Sequence, residues 1–450
     1  MRTWLRDHWI HLALFAVGLA VYCAVTGSRL GHTSKDPHFV YQAEAWLDGR
    51  LWIQPMPPPA DDPARVETVL LDDGTQVRGR RLHSRRFFRT TRGEEIRLSR
   101  VRRTLEVTQY NSFPPMPALL LLPQVLISGV HANDVLFTVL MAALMLPLFF
   151  SVLRLLVARG MSQRSLGDDL WLVAGLAFGT VFFFSAVQGR VWYTAHVVGV
   201  VLCVAYVWCA IEARHPILAG LALGCAAITR VPMAFMFPLF FFEAWRVSGG
   251  RDDLRAFARR ALWFSAPVAV IALAAAIHNY ARFDELTEFG HSYLQVRQQA
   301  QIEAHGLFSF AYLSRNLTVA FTLLPDLSAA RPFVTVSGHG LAMWVTTPLL
   351  FYVLWPRTKG PLHRPLWITV ALVAVPTFFY QNSGWFQFGY RFALDYMVFL
   401  FVLIAIGGRP LGRVGKALIV AGIAVNLFGA VTFDRIPQYY KGNYQVVIPN

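Results

Sequence analysis

HWIHLALFAVGLAVYCAVTGSRLGHTSKDPHFVYQAEAWLDGRLWI, residues 8–53, joins two segments of opposite character. Residues 9–27 are an apolar run long enough to cross a bilayer's ~30 Å of hydrocarbon as a helix. Arg2 and Arg6 precede it and no small-residue cleavage site follows, so a retained first span with a cytoplasmic N-terminus is expected. Residues 34–53 then place Phe39, Val40, Ala43, Trp46 and Leu47 at helical spacing behind Asp36, which predicts a short helix lying in the outer interface. Asp36 falls at or just before its start, where free backbone N–H groups stabilise a carboxylate. A helix cap and a chemical role both fit that position.

Ten further apolar stretches follow, near residues 133–153, 169–187, 195–212, 217–229, 232–245, 261–279, 340–355, 365–380, 392–407 and 414–431. The expected fold class is an all-α polytopic membrane protein of about eleven transmembrane helices, N-terminus inside and C-terminus outside. Composition agrees: 55% of the 450 residues are hydrophobic and only 15% charged, outside the range of soluble domains. The net charge of +15 resides largely in short segments between apolar runs, among them RVSGGRDDLRAFARR (246–260), PRTKGPLHR (356–364) and GGRPLGRVGK (407–416). Inner loops rich in arginine explain that charge better than nucleic acid, which is not expected as a partner. The arginine-for-lysine, alanine-rich bias points to a bacterial chain and hence to the inner (cytoplasmic) membrane, with any site facing the periplasm or exterior.

This topology divides the chain into a first span (1–27), a first extracytoplasmic loop (28–132), spans two to seven (133–279), a second outer loop (280–339), spans eight to eleven (340–431) and an outer tail (432–450). The first loop holds the interfacial helix at 34–53, a basic segment at 60–107 and a second interfacial helix at 114–130 opened by Pro114, Pro115 and Pro117. The basic segment alternates apolar and polar residues around the turn signals DDG and RGEE, which predicts a small antiparallel β insert. Gly175/Gly179 and Gly220/Gly224 are small-residue pairs suited to close helix packing. Cys23, Cys203, Cys209 and Cys225 all lie in apolar runs and read as core residues. No metal site is expected: His32, Asp36 and His38 lie close in sequence but fit no established zinc spacing, although a divalent ion stays conceivable.

The order of a first span, a loop reading DPHFVYQAEAWLDGRL, then YNSFPPMPALLLLP before the second span, together with the TRVP break at 229–232, resembles the membrane glycosyltransferases of the GT-C superfamily. The resemblance is strongest to bacterial members related to protein mannosyltransferases and the aminoarabinose transferase of lipid A, a glycosyltransferase family 39-like group. It implies a polyprenyl-phosphate-linked sugar as donor, an envelope glycan, lipid or protein as acceptor, and an acidic residue of the first outer loop, here Asp36, as catalytic base. The second acidic residue common in that family has no clear counterpart, and Glu44, Asp284 and Glu288 compete for it.

Such a transfer needs cations for the departing phosphate, and arginine's planar fork suits that task near lipid. Arg190, Arg230, Arg282 and Arg391 sit at outer boundaries; Arg230 interrupts an apolar hairpin, where an unpaired charge is costly. Snorkelling, or for Arg391 an i,i+4 pair with Asp395, is the competing reading, and Arg230 and Arg391 are the leading phosphate candidates. His38, Tyr41, Glu44, Tyr110, His291, Gln381, Asn382, Trp385 and Tyr390 are the expected sugar and acceptor contacts, with belt anchoring the competing reading for the aromatics. A lipid-linked saccharide transporter or flippase is the rival function. It would place charges near the bilayer midplane and show repeats, which this chain lacks.

Overall fold

The computed structural model describes residues 2–53, 63–296 and 298–442, with side chains from residue 8 onward. The first residues of the expected β insert (60–62) and the tail beyond 442 lie outside the described residues. The α-helices are α1 (Arg2–Thr26), α2 (His38–Leu47), α3 (Met116–Ser128), α4 (Asp134–Ala158), α5 (Leu166–Phe178), α6 (Phe182–Ala186), α7 (Val191–Ala210), α8 (Pro216–Ala227) and α9 (Pro238–Val247). After them come α10 (Leu254–Phe283), α11 (Gln299–His305), α12 (Leu313–Phe321), α13 (Met343–Thr346), α14 (Phe351–Leu354), α15 (His363–Phe379), α16 (Leu394–Ile406) and α17 (Gly412–Thr432).

Among the described residues five helical stretches are, by length and composition, able to cross a membrane: His8–Gly31, Asp134–Ala158, Val191–Ala213, Leu254–Phe283 and Gly412–Thr432. The protein is thus a mostly helical, multi-pass membrane protein. The other six apolar stretches are short or broken. α5 and α6 are separated at 179–181, Pro232 and Pro238 divide 231–247 into a 3₁₀ turn and α9, and Pro348 divides α13 from α14. Proline lacks the amide hydrogen that an unbroken helix needs. Every residue of α16 is buried, as expected of a helix apolar on all sides. α10, in contrast, leaves Leu262, Trp263, Val270, Leu273 and Ile277 exposed on an apolar outer face.

Two glycines let α8 pack directly on α10. A Cβ at Gly220 would lie 2.0 Å from the carbonyl oxygen of Phe264, and one at Gly224 would lie 2.7 Å from Ile271 Cδ1. Residues 64–110 form a five-stranded antiparallel sheet of β1 (Ala64–Leu71), β2 (Gln76–Arg81), β3 (Phe87–Thr90), β4 (Glu95–Arg97) and β5 (Val101–Tyr110), ordered β4-β3-β2-β1-β5. Val69, Leu71 and Phe88 make its small core. Its inner side is fastened to the second loop, where Arg80 pairs with Glu303 at 3.1 Å, Arg78 with Asp284 at 3.1 Å, and Ala64 bridges to Leu294.

Gly220→Ala is expected to cost about 1–3 kcal/mol by overpacking, read as a lowered thermal midpoint of the solubilised protein. Gly31→Ala, whose added Cβ meets nothing within 4 Å, leaves the midpoint in place.

Candidate functional site

One end of the bundle gathers the C-termini of α1, α10, α15 and α17 and the N-termini of α4, α7 and α16. A cavity of about 280 Å3 opens there, between Ser112–Pro114, the first turns of α7, the Thr229–Pro232 break, loop residues 287–308 and the stretch 376–392. Its size is near the lower end of ligand sites, which run roughly 300–1,000 Å3.

The break brings Arg230 to the cavity wall. Its guanidinium forks onto Asp395, donating from Nε to Oδ1 at 3.0 Å and from Nη2 to Oδ2 at 2.9 Å. His196 Nδ1 lies 3.3 Å from the same Oδ1. Asp395 therefore pairs with Arg230, 165 positions away in sequence, instead of with Arg391 four residues before it. Arg391 donates through Nη1 to the carbonyl oxygens of Gly384 (2.5 Å) and Phe386 (3.2 Å). Both guanidiniums lie over the Phe392 ring, at 5.1 and 5.5 Å from its centroid, and all three residues line the cavity. Two guanidiniums share this wall of the cavity, and arginine's planar fork is suited to an anion such as phosphate.

Asp36 is not a helix cap: Pro37 occupies the cap position of α2 and no side chain caps it. The Asp36 carboxylate is buried and ion-paired with the Arg190 guanidinium, while its backbone carbonyl accepts from the Val191 amide at 3.2 Å. Asp134 holds the preceding turn by accepting from Ser34 N (2.7 Å) and Oγ (2.6 Å). Arg190 also reaches Asp434 at 3.6 Å and covers the Trp192 ring at 4.9 Å. Trp192 lines the cavity; Asp36 is not among its lining residues and reaches that wall through Arg190.

The remaining expected residues divide into two groups. His291, Gln381 and Asn382 line the cavity. Of the competing acids only Glu288 does, its carboxylate accepting from the amides of Gly290 and Ser292. His38 is buried with its ring against Phe113 and Trp192, two lining residues. Arg282 is buried away from the cavity and donates to Asn111 O (2.8 Å) and Asn279 Oδ1 (2.9 Å). Tyr110 packs on Phe283 under the sheet, Tyr390 is buried beside Thr377, and Trp385 lies against His339. Tyr41 and Glu44 are half-buried on α2 and do not line the cavity. Among the described residues no three His, Cys, Asp or Glu side chains gather closely enough to hold a metal ion.

Asp395, His196, Asp134 and Asp434 were not singled out from sequence as site residues. One signal was available for Asp395: it is the sole acidic residue between 341 and 433.

No family model and no curated protein matches the chain. Among solved structures it is similar to the Archaeoglobus fulgidus oligosaccharyltransferase in its apo form, with a TM-score of 0.47 and 12% identity over 100% of this chain and 57% of that one. The same enzyme tethered to an acceptor peptide containing the NVT sequon gives 0.48 and 12% over 98% and 57%. AglB from that organism, in complex with an inhibitory peptide and a dolichol-phosphate, gives 0.44 and 11% over 98% and 57%. The chain thus spans little more than half the length of these structures.

Either Arg230→Met or Asp395→Asn alone strands a buried charge and is expected to cost about 3–5 kcal/mol. The double variant Arg230→Met/Asp395→Leu should recover most of it, and additive losses in a thermal double-mutant cycle would show that the two do not act as a pair. At His291, burial followed by the charges of Arg230 and Arg282 lowers the pKa from 6.5 to about 4. The unfolded chain then takes up this proton first, so folded stability falls as pH drops from about 6.5 toward 4. His291→Gln should flatten part of that fall, measured as midpoint against pH.

Proposed function

We propose that the protein is a GT-C-type membrane glycosyltransferase that moves a sugar from a polyprenyl-phosphate donor to a nucleophile on an envelope glycan, lipid or protein. The observation that carries this reading is a cavity wall bearing two guanidiniums, Arg230 and Arg391, with a buried carboxylate, Asp36, held by Arg190 over the Trp192 ring that lines the same cavity. The first-loop and TRVP motifs resemble that superfamily independently of this geometry. The arginine-rich inner loops support a cavity facing the periplasm, and the arginine-for-lysine, alanine-rich bias supports a bacterial inner membrane.

In this mechanism the phosphate sits against Arg230 and Arg391, and its developing charge is stabilised as the anomeric C–O bond breaks with the electron pair passing to phosphate. An acceptor hydroxyl attacks the anomeric carbon from the opposite side and gives its proton to Asp36. Inversion follows, because no covalent sugar-enzyme intermediate forms. A free carboxyl group of pKa about 3.9 is a weak base for a hydroxyl, so proton transfer accompanies bond formation at an oxocarbenium-like carbon. Asp36 takes part only when Arg190 yields it, which makes opening of that ion pair a step before transfer. Asp434 then retains Arg190.

Mass spectrometry of envelope glycans and polyprenyl-phosphate sugars from deletion cells, complemented with wild type or Asp36→Asn, tests this reading. Wild type should restore one missing sugar and clear its accumulated lipid donor, and Asp36→Asn should lower transfer by at least about 10²-fold while inserting normally. Normal product from Asp36→Asn removes Asp36 as base. An unchanged profile on deletion removes the transferase reading.

A further inference from the structure

The opposite end of the bundle carries a second cleft, of about 490 Å3, lined by Leu354, Pro356, Lys359, His363, Arg364 and Trp367 among others. Its position follows from the two helices that run between the ends. His363 opens α15, whose last turn borders the first cavity. Residues 357–358 pack on the end of α16, with the Arg357 amide donating to Gly407 O at 2.7 Å and Thr358 Oγ1 to Ile406 O at 3.1 Å. The first turn of α16 holds Asp395, so the two clefts are a helix length apart.

Charge along the chain that builds this cleft is one-sided. Between 341 and 433 the sole carboxylate is Asp395, engaged with Arg230 at the other end. Residues 357–364 and 409–416 meanwhile supply Arg357, Lys359, Arg364, Arg409, Arg413 and Lys416. No carboxylate lines the cleft, and Lys359 and Arg364 are exposed on its rim. His363 is only 7% exposed, lines the cleft, and its buried Nδ1 has no hydrogen-bond partner. The cleft also lies at the N-terminus of a 17-residue helix, where the backbone favours an anion. Leu354, Trp355 and Trp367 are exposed beside it, an apolar and aromatic rim of the kind found at head-group depth.

We propose that this cleft binds the phosphate of an anionic membrane lipid. Lys359 and Arg364 neutralise it, His363 donates from Nδ1, and the rim of Leu354, Trp355 and Trp367 receives the upper part of the acyl chains. The site is separate from the donor cavity and does not depend on the proposed transfer. A lipid suits it better than soluble phosphate because this rim would face hydrocarbon. Basic pockets between spans on the cytoplasmic side are a recognised setting for such head groups.

The test uses the full chain, delipidated in detergent, with native mass spectrometry and thermal unfolding against phosphatidylglycerol, phosphatidylcholine and inorganic phosphate. Phosphatidylglycerol alone should remain bound and raise the midpoint. Lys359→Ala/Arg364→Ala should weaken its binding tenfold or more, while Arg413→Ala, outside the cleft, stays within twofold of wild type. Should the double variant fold poorly, Lys359→Gln reads the same loss at about fivefold. Equal retention of phosphatidylcholine, equal stabilisation by inorganic phosphate, or unchanged phosphatidylglycerol binding in the variants would overturn the assignment.

Discussion

The site depends on a constraint of electrostatics in apolar surroundings: a guanidinium there must be met by a carboxylate or by several oxygen acceptors. Arg230 satisfies it through Asp395, and satisfying it fixes much else. The pair ties the 229–232 break to the start of α16, carries His196 of α7 with it, and sets the wall on which Phe392 and Arg391 stand. A bidentate fork also fixes the plane of the guanidinium, so the cation facing the cavity is already oriented. The proline after Arg230 belongs to the same device, since a continuous helix through 229–238 would not present that side chain in this way.

A second buried pair, Asp36 with Arg190, follows the same rule at the rim, with a different consequence. Arg230 has one carboxylate partner, but Arg190 lies between two, Asp36 and Asp434, the latter also reached by Arg29 and Lys35. An arginine between two acids can leave one and remain neutralised by the other. Such an arrangement suits a carboxylate that must be stored ionised and released on demand.

Much of the architecture was legible in the sequence because the bilayer writes its thickness into apolar run lengths and the β insert writes its turns as DDG and RGEE. Helix α2 and the position of Asp36 before it were readable from spacing alone. What run length could not convey was continuity: stretches at 169–187, 232–245 and 340–355 have the hydropathy of spans, yet glycine and proline divide them. The site was only partly legible, since its pairings join residues more than 150 positions apart. Arg230 stood out locally because it interrupts an apolar hairpin, but nothing local showed that Arg282 is committed to Asn111 and Asn279 instead of the cavity. Local spacing even suggested the wrong partner for Asp395, because i,i+4 proximity on a helix yields to a deeper pairing across the bundle.

The most direct measurement of the central claim, that a lipid phosphate occupies the outer cavity between Arg230 and Arg391, is photo-crosslinking of the purified protein in nanodiscs with a polyprenyl phosphate carrying a photoreactive group next to the phosphate. Mapped by mass spectrometry, the adducts should fall on 229–232 and 376–392 and be suppressed by unlabelled polyprenyl phosphate. Adducts confined to the lipid-facing surface of α10, or labelling that excess unlabelled lipid leaves unchanged, would contradict the account.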